Sequence, residues 1–256
     1  GQLTLGANNG SGDFSGVISS ANGPVSLVKT GSGTQTLSGN NTYGGTTAVN
    51  AGTLRLGNVG ALGSTAGNTT VANGATLDLN GQTITGETLA LAGTGVGGLG
   101  ALINSSATPA TWTGTLASGT YTVGGTGNIT LSGQVSTSAS TLTKIGTHTL
   151  TFSGTLDNIG LAVIVNAGTA VLAKTSTGSV HSVGGGAAVV TVNSGATARL
   201  GGTGGDQIYF QGDVIVNAGG TFDMNGVSEG FDLLSGGGLV TNSSATPVTL
   251  TVGENN

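Results

Sequence analysis

The chain contains no cysteine, only three prolines and only one tryptophan, and charged residues make up 6% of it, against about a quarter in an ordinary soluble domain. Disulfides are therefore excluded, and three prolines without a Gly-X-Y period exclude a collagen-like triple helix. The five basic residues are scattered, so no basic stripe offers a surface to nucleic acid. The longest aliphatic run, Leu161 to Val165, is far shorter than a membrane-spanning helix.

The chain is rich in glycine and in short apolar segments. There are 52 glycines, and 36% of the residues are hydrophobic. A disordered, low-complexity chain would not carry that much apolar surface in alternating runs of Val, Ile and Leu. Alternation is typical of β-strands with one buried face, so the composition predicts an all-β protein rich in turns.

A Val-Asn-x-Gly-x-Thr phrase recurs along the chain and indicates its shorter period. The glycines of its copies are Gly52, Gly74, Gly168, Gly195 and Gly219. Three of the four intervals between them are short and similar, and the long interval from Gly74 to Gly168 is close to four of the short ones. The period is roughly 22–27 residues, which is typical of one coil of a β-solenoid.

The chemistry of the phrase agrees with that interpretation. β-branched residues precede the asparagine as in a strand, and asparagine and glycine then tolerate the backbone of a tight corner. We therefore predict a right-handed parallel β-solenoid of roughly 10 to 12 coils, stacked at about 4.8 Å. Its core is expected to be aliphatic columns that include Leu54, Leu56, Leu77, Leu79, Val165, Val192 and Val216.

A longer repeat is superimposed on the coils. The hexapeptide at 104–109 returns at 242–247, and Thr4-Leu5-Gly6 returns in similar form at 122–124 and 251–253. Residues 250–256 match 3–9 at five of seven positions. We predict one continuous solenoid over residues 1–256, with repeat units at 3–120 and 121–249 and the start of a third at 250–256.

Residues 27–54, from Leu27-Val28-Lys29 to Val49-Asn50-Ala51-Gly52-Thr53-Leu54, resemble the autotransporter-associated β-strand repeat. A degraded copy covers Leu142 to Leu172. The resemblance implies a right-handed parallel β-helix, export and a place on the bacterial cell surface. It brings no catalytic residue, no cofactor and no enzymatic activity to this chain.

Candidate sites are sparse. We expect structural roles at the corners, with asparagine side chains forming amide ladders along the stack and glycines making the turns: Asn50, Gly52, Gly74, Asn166, Gly168, Asn193, Gly195, Asn217 and Gly219. Asp206 and Asp213 are weak candidates for a cation site, because calcium prefers oxygen ligands from acidic loops. Asp78 and Asp223 occupy matching strand positions and are expected on a solvated outer face. His148 is expected to be an exposed strand residue.

The sequence therefore predicts a structural, non-catalytic segment of an extracellular fibre, stalk or sheath that associates end to end with like solenoid units. An adhesin that binds glycans or host proteins through loops is the alternative, with Tyr209-Phe210 as its plausible aromatic pair. Two remote alternatives are a polysaccharide-degrading β-helix, which needs acidic and basic groups in one groove, and an ice-binding solenoid, which needs ranked Thr-x-Thr pairs on successive coils.

Overall fold

The computed structural model describes residues 1–184 and 189–254 and consists of β-strands and turns. Within the described residues it has no α-helix, and one 3-10 turn lies at Val96–Gly98. The chain divides into two compact units, Gly1–Ile129 and Thr130–Asn256. Asn255 and Asn256, the last residues of the predicted third repeat, lie outside the described residues.

The first unit contains two main parallel sheets, formed by alternate strands along the chain. One has the order β1-β3-β5-β7-β10 and the other contains β2-β4-β6-β8-β11-β13, while β9 pairs with β12. The strands are β1 Gln2–Leu5, β2 Gly12–Phe14, β3 Ser26–Lys29, β4 Thr34–Leu37, β5 Thr47–Val49, β6 Thr53–Leu56, β7 Thr69–Val71, β8 Thr76–Asp78, β9 Thr83–Ile84, β10 Leu89–Leu91, β11 Leu102–Asn104, β12 Ala110–Trp112 and β13 Thr120–Gly125.

The second unit repeats this arrangement. Its sheets contain β15-β17-β19-β21-β24 and β14-β16-β18-β20-β22-β25, and β23 pairs with β26. The strands are β14 Ile129–Leu131, which begins at the unit boundary, β15 Ser140–Lys144, β16 Thr149–Phe152, β17 Leu161–Val165, β18 Gly168–Leu172, β19 Val189–Val192, β20 Ala196–Leu200, β21 Asp213–Val216, β22 Thr221–Asp223, β23 Glu229–Phe231, β24 Leu233–Gly236, β25 Leu239–Thr241 and β26 Leu250–Val252.

The strands pair in parallel, and a strand inside a sheet pairs with its counterpart one coil later. Leu27 in β3 pairs with Thr47 in β5, and Val163 in β17 pairs with Val190 in β19. The sheets stack as a β-solenoid, and the described residues form about 12 turns in all. The predicted fold class is confirmed.

The core consists of aliphatic columns, one side chain per coil. In the first unit Leu54, Leu77, Leu102 and Val123 pair in succession, and in the second unit Leu142, Val163, Val190, Val214 and Leu234 do so. All seven core residues predicted from the sequence are buried. Each such side chain contributes roughly 1.5–3 kcal/mol by leaving water, so the columns hold the coils together along the stack.

A lysine inside the coil repeats in both units and explains part of the sequence repeat. Lys29 Nζ donates to the carbonyls of Thr30, Gly31 and Ala51, at 2.6, 2.8 and 3.0 Å. Lys144 Nζ donates in the same way to Ile145, Gly146 and Ala167. The third carbonyl in each set belongs to the next coil, so each ammonium clamps two coils.

The glycine after that third carbonyl is required by close packing. Gly52 and Gly168 have φ of 64° and 66°, and a Cβ at Gly52 would lie 2.8 Å from Lys29 Nζ. Gly74, Gly195 and Gly219 also have positive φ, which favours glycine because it has no Cβ. The Val-Asn-Ala-Gly phrase is thus the second half of the clamp at both Lys29 and Lys144.

Asp78 and Asp223 are buried, and the prediction that they lie on a solvated outer face is wrong. Asp78 accepts hydrogen bonds from the Ser105 amide and hydroxyl and from the Asn80 amide, and its Oδ2 lies 2.8 Å from Arg55 Nε. The equivalent partners of Asp223 are the Ser243 amide and hydroxyl, the Asn225 amide and Arg199. An aspartate between coils satisfies backbone donors that no strand partner reaches. The prediction for His148 is also wrong, because that side chain is buried.

We expect Asp78→Ala to lower the free energy of unfolding by about 2–4 kcal/mol, because it leaves buried amide donors of Asn80 and Ser105 unsatisfied. Arg55→Ala is the matched control and should cost about 1 kcal/mol or less, since that side chain is partly exposed (41%). Urea denaturation of both variants measures the difference. Equal losses would show that the ion pair, and not the amide bonds, is what matters.

Candidate functional site

Several ionisable and polar side chains meet at one corner of the second unit. We call this the polar corner, and it consists of Asp157-Asn158, His181-Ser182, Asp206-Gln207 and Ser228-Glu229. Each pair comes from a successive coil. In each pair one side chain faces outward and the next faces the interior. The corner therefore carries two polar columns, one on each side of the backbone.

The outward column is Asp157, His181 and Asp206. His181 Nδ1 lies 3.1 Å from Asp157 Oδ1, and Nε2 lies 3.4 Å from Asp206 Oδ1. The His181 amide also donates to Asp157 Oδ1 at 2.8 Å. The imidazole is buried, whereas the two carboxylates are partly exposed. One imidazole thus joins acids from the coils on either side of it.

The inward column is Asn158, Ser182, Gln207 and Glu229. Asn158 Nδ2 donates to the Ser182 carbonyl, and Ser182 Oγ donates to Gln207 Oε1. The backbone amide of Gln207 donates to Glu229 Oε2. The first unit contains a similar asparagine, since Asn41 accepts from the Ile18 amide and donates to the Ala61 carbonyl. Such networks are how a solenoid corner keeps buried polar atoms bonded.

Burial dominates the electrostatics of the polar corner. It raises the pKa of Glu229 to about 8, even though backbone amides of the corner donate to the carboxylate. Burial also raises the pKa of Asp206, and the neighbouring His181 partly offsets that rise. The ammonium of Lys174 donates to the Ser153 and Gly133 carbonyls, and burial lowers its pKa to about 8. In the first unit, burial raises the pKa of Glu87 to about 7.

An aromatic pair lies beside the outward column. The Tyr209 and Phe210 rings are 4.5 Å apart, and the Tyr209 ring meets the edge of His181 at 5.1 Å. Phe210 is 39% exposed, which is high for a large apolar side chain. The corner therefore offers solvent two partly exposed carboxylates next to an aromatic surface.

The asparagines of the Val-Asn-x-Gly phrase lie at a different corner. Asn193 Nδ2 donates to Asn166 Oδ1, and Asn217 Nδ2 donates to Asn193 Oδ1, both at 2.6 Å. Asn50 is exposed, and the described residues give its side chain no such bond. The three amides of the second unit link successive coils, which is a structural arrangement.

The two candidate cation ligands have different surroundings. Asp206 contacts His181, and Asp213 begins β21 and pairs through its backbone with Val189 and Leu233. Within residues 1–184 and 189–254, no group of three or more His, Cys, Asp or Glu side chains is arranged to hold a metal ion.

The strand register bears on the ice-binding alternative. Thr149 is followed on successive coils by Thr169, Thr197 and Thr221, but Thr151 is followed by Val171, Arg199 and Asp223. One column of threonines is present on this sheet and its neighbour is mixed. A flat array of threonine pairs is not formed there.

Sequence reasoning missed the polar corner because its members look isolated in the sequence. His181 has no nearby His or Cys, and Asp157 lies in a segment that departs from the better-matching repeat at 27–54. The available signal was the spacing, because Asp157, His181 and Asp206 follow one another at intervals of one coil each.

Residues 27–56 match a family model described as passenger-associated-transport-repeat. This segment runs from β3 to β6 and includes the Lys29 clamp, Asn41 and Gly52. The match and the solenoid fold together fit an autotransporter passenger β-helix repeat, as the sequence resemblance predicted. Neither the curated proteins nor the solved structures gave a match. Among the described residues no helix is long and apolar enough to cross a membrane.

Glu229 makes the second unit more stable in mild acid. Its pKa is 4.5 in an ordinary setting and about 8 in the fold, so between these values the native state holds a proton that the unfolded chain has lost. Its stabilisation is complete below the lower value and is lost as pH rises through the higher one. We expect the free energy of unfolding to fall from about pH 5 to pH 7.5.

Glu229→Gln removes this titration and should flatten the decline, measured by urea denaturation at several pH values. Glu87 contributes a similar slope and remains in the variant. Asn50→Gln, which changes an exposed amide without an ionisable group in the first unit, is the control and should leave the slope unchanged. An unaltered slope in Glu229→Gln would contradict the assignment.

Proposed function

We propose that this chain is a structural repeat segment of a bacterial surface protein and that its end coils are covered by further solenoid coils of the same kind, building a fibre, stalk or sheath. The repeat family implies a secreted or surface protein and suggests a non-enzymatic role. Placement on the bacterial cell and end-to-end stacking go beyond the family match. The exposure of core columns at the first and last described coils supports the stacking, and the repeat family supports the placement on the cell.

The key observation is that side-chain columns which are buried inside each unit become exposed to solvent at one end of the column. Phe14 pairs with Leu37, which is fully buried, yet Phe14 itself is 43% exposed. It lines an apolar groove with Leu3, Leu5 and Ile18. Phe14 differs from Leu37 in lacking a coil on its outer side, which a further coil would supply.

The last coils of the second unit show the same feature. Val252 pairs with the buried Phe231 but is 46% exposed, and Val240, which pairs with the buried Phe222, is only partly buried. Strands β24 and β25 are the edges of their sheets, so among the described residues one side of each carries backbone groups with no strand partner. Open edges of this kind pair readily with another strand. A second copy of the solenoid supplies such strands in the required parallel direction.

We expect the purified chain to form rods of constant width and increasing length as its concentration rises. Phe14→Lys and Val252→Lys should suppress this association, because each places a charge in an apolar column at an end coil. Val59→Lys changes a residue that is more exposed (62%) and lies away from the ends, and it should behave as the original chain. Electron microscopy and sedimentation velocity read out rod length.

A head-to-tail fusion of two copies provides an independent test. Because solenoid stability is a sum over neighbouring coils, a new interface should raise the denaturant midpoint above that of one copy. Discrete particles at every concentration, together with an unchanged midpoint in the fusion, would rule out the stacking.

Glycan binding at the polar corner is the second candidate function. The partly exposed carboxylates of Asp157 and Asp206 contact His181, which contacts Tyr209 and, through it, the partly exposed Phe210 ring. Sugars bind through hydroxyl hydrogen bonds and stacking on aromatic faces. We expect Phe210→Ala and Asp206→Asn to abolish any signal on a glycan array. Phe14→Ala is the matched aromatic control and should retain it. Retained binding in Phe210→Ala, or no glycan bound by the original chain, would contradict this function.

A further inference from the structure

Both ring nitrogens of His181 face carboxylate oxygens, and this determines how many protons the outward column holds. Nδ1 faces Asp157 Oδ1 at 3.1 Å and Nε2 faces Asp206 Oδ1 at 3.4 Å. A neutral imidazole has one N–H and one lone pair. It can donate to one of these carboxylates, and its lone pair then points at the oxygen of the other.

Two acceptors facing each other across this distance repel unless a proton lies between them. The proton can reside on the second ring nitrogen, giving an imidazolium between two carboxylates, or on Asp206, giving a carboxylic acid that donates to Nε2. Both forms carry a net charge of −1, and they belong to one coupled titration of the whole group. Without the proton the net charge is −2.

We propose that Asp157, His181 and Asp206 share one proton and form a pH-sensitive latch that holds the glycine-rich loop 201–206 against the preceding coil. When the proton is released to water, the Nε2 lone pair faces an ionised carboxylate and the contact with Asp206 breaks. The Asp157 contact persists, because Nδ1–H still donates to it and the His181 amide donates to the same oxygen.

Loop 201–206 is suited to such a motion. Its sequence is Gly-Gly-Thr-Gly-Gly-Asp, and Gly202 and Gly204 have φ of 70° and 86°, where glycine is least strained. The loop is also held by backbone bonds, in which the Gly201 amide donates to the Leu172 carbonyl, the Thr203 amide to the Lys174 carbonyl and the Ser176 amide to the Thr203 carbonyl. In addition, Ser176 Oγ donates to the Thr203 carbonyl, and the Asp206 amide donates to Ser176 Oγ at 3.2 Å. The Asp206 side chain is its link to His181.

Other titratable groups also face the latch. The ammonium of Lys174 interacts with Asp157, and the carboxyl of Glu229 interacts with Asp206 from the interior. Tyr209 presents its ring to the edge of His181. Burial raises the pKa of the neighbouring Glu229 carboxyl to about 8, so the experiment separates Glu229 from the latch.

Hydrogen exchange of the loop amides, corrected for the intrinsic rate at each pH, is the direct readout. The chain has two histidines, so in the His148→Gln variant a single imidazole carbon signal reports His181. We expect protection at 203–206 to fall by about tenfold as pH rises, because the charged contact between His181 Nε2 and Asp206 is lost. The imidazole signal should change over the same pH range.

Two variants decide the outcome. In Asp206→Asn the carboxamide N–H donates to Nε2 without a shared proton, so loop protection should remain and become independent of pH. In Glu229→Gln the latch is intact and the pH-dependent loss should persist. The proposal is overturned if the original chain shows no pH dependence, if Asp206→Asn keeps it, or if Glu229→Gln removes it.

Discussion

The parallel hydrogen bonding from coil to coil is the constraint on which the rest of this structure depends. Each strand inside a sheet pairs with its counterpart in the coils before and after it, so every column repeats a position at the strand spacing of about 4.8 Å. Whether a side chain is accommodated therefore depends mainly on how well it packs against its two neighbours in the same column. Aliphatic residues satisfy this easily. Polar residues do so only when their neighbours supply matching donors and acceptors.

The few charges of the chain follow from the same constraint. Of its five basic residues, three lysines are buried and the two arginines pair with the buried Asp78 and Asp223. The lysine ammonium groups reach carbonyls at the corners, where no strand partner is available. Although the chain has few charged residues, electrostatic interactions therefore contribute to its structure. The ammonium groups of Lys29 and Lys144 bond to carbonyls where the backbone ladder is interrupted, and the two arginines bond to aspartates on neighbouring coils.

The sequence was sufficient for the fold because stacking turns spacing into contact. The regular recurrence of Gly52, Gly74 and their counterparts indicated the coil, and alternation identified inward residues such as Leu54 and Val165. It was insufficient at Asp78 and His148, because polar side chains on alternating strands are ordinarily assigned to the outer face. The burial of Asp78 depends on partners one coil away, such as Ser105, whose alignment only the three-dimensional register reveals.

The polar corner shows most clearly how the column creates chemistry. Asp157, His181 and Asp206 each look ordinary in the sequence, and they become one chemical group only because three coils bring them into a column. In a globular fold such a group needs several elements that converge from different directions. In a solenoid a single substitution at coil spacing is enough, since the column already exists. A scaffold of this kind can therefore acquire a titrating or binding site locally, while the aliphatic columns and lysine clamps on its other coils remain as they are.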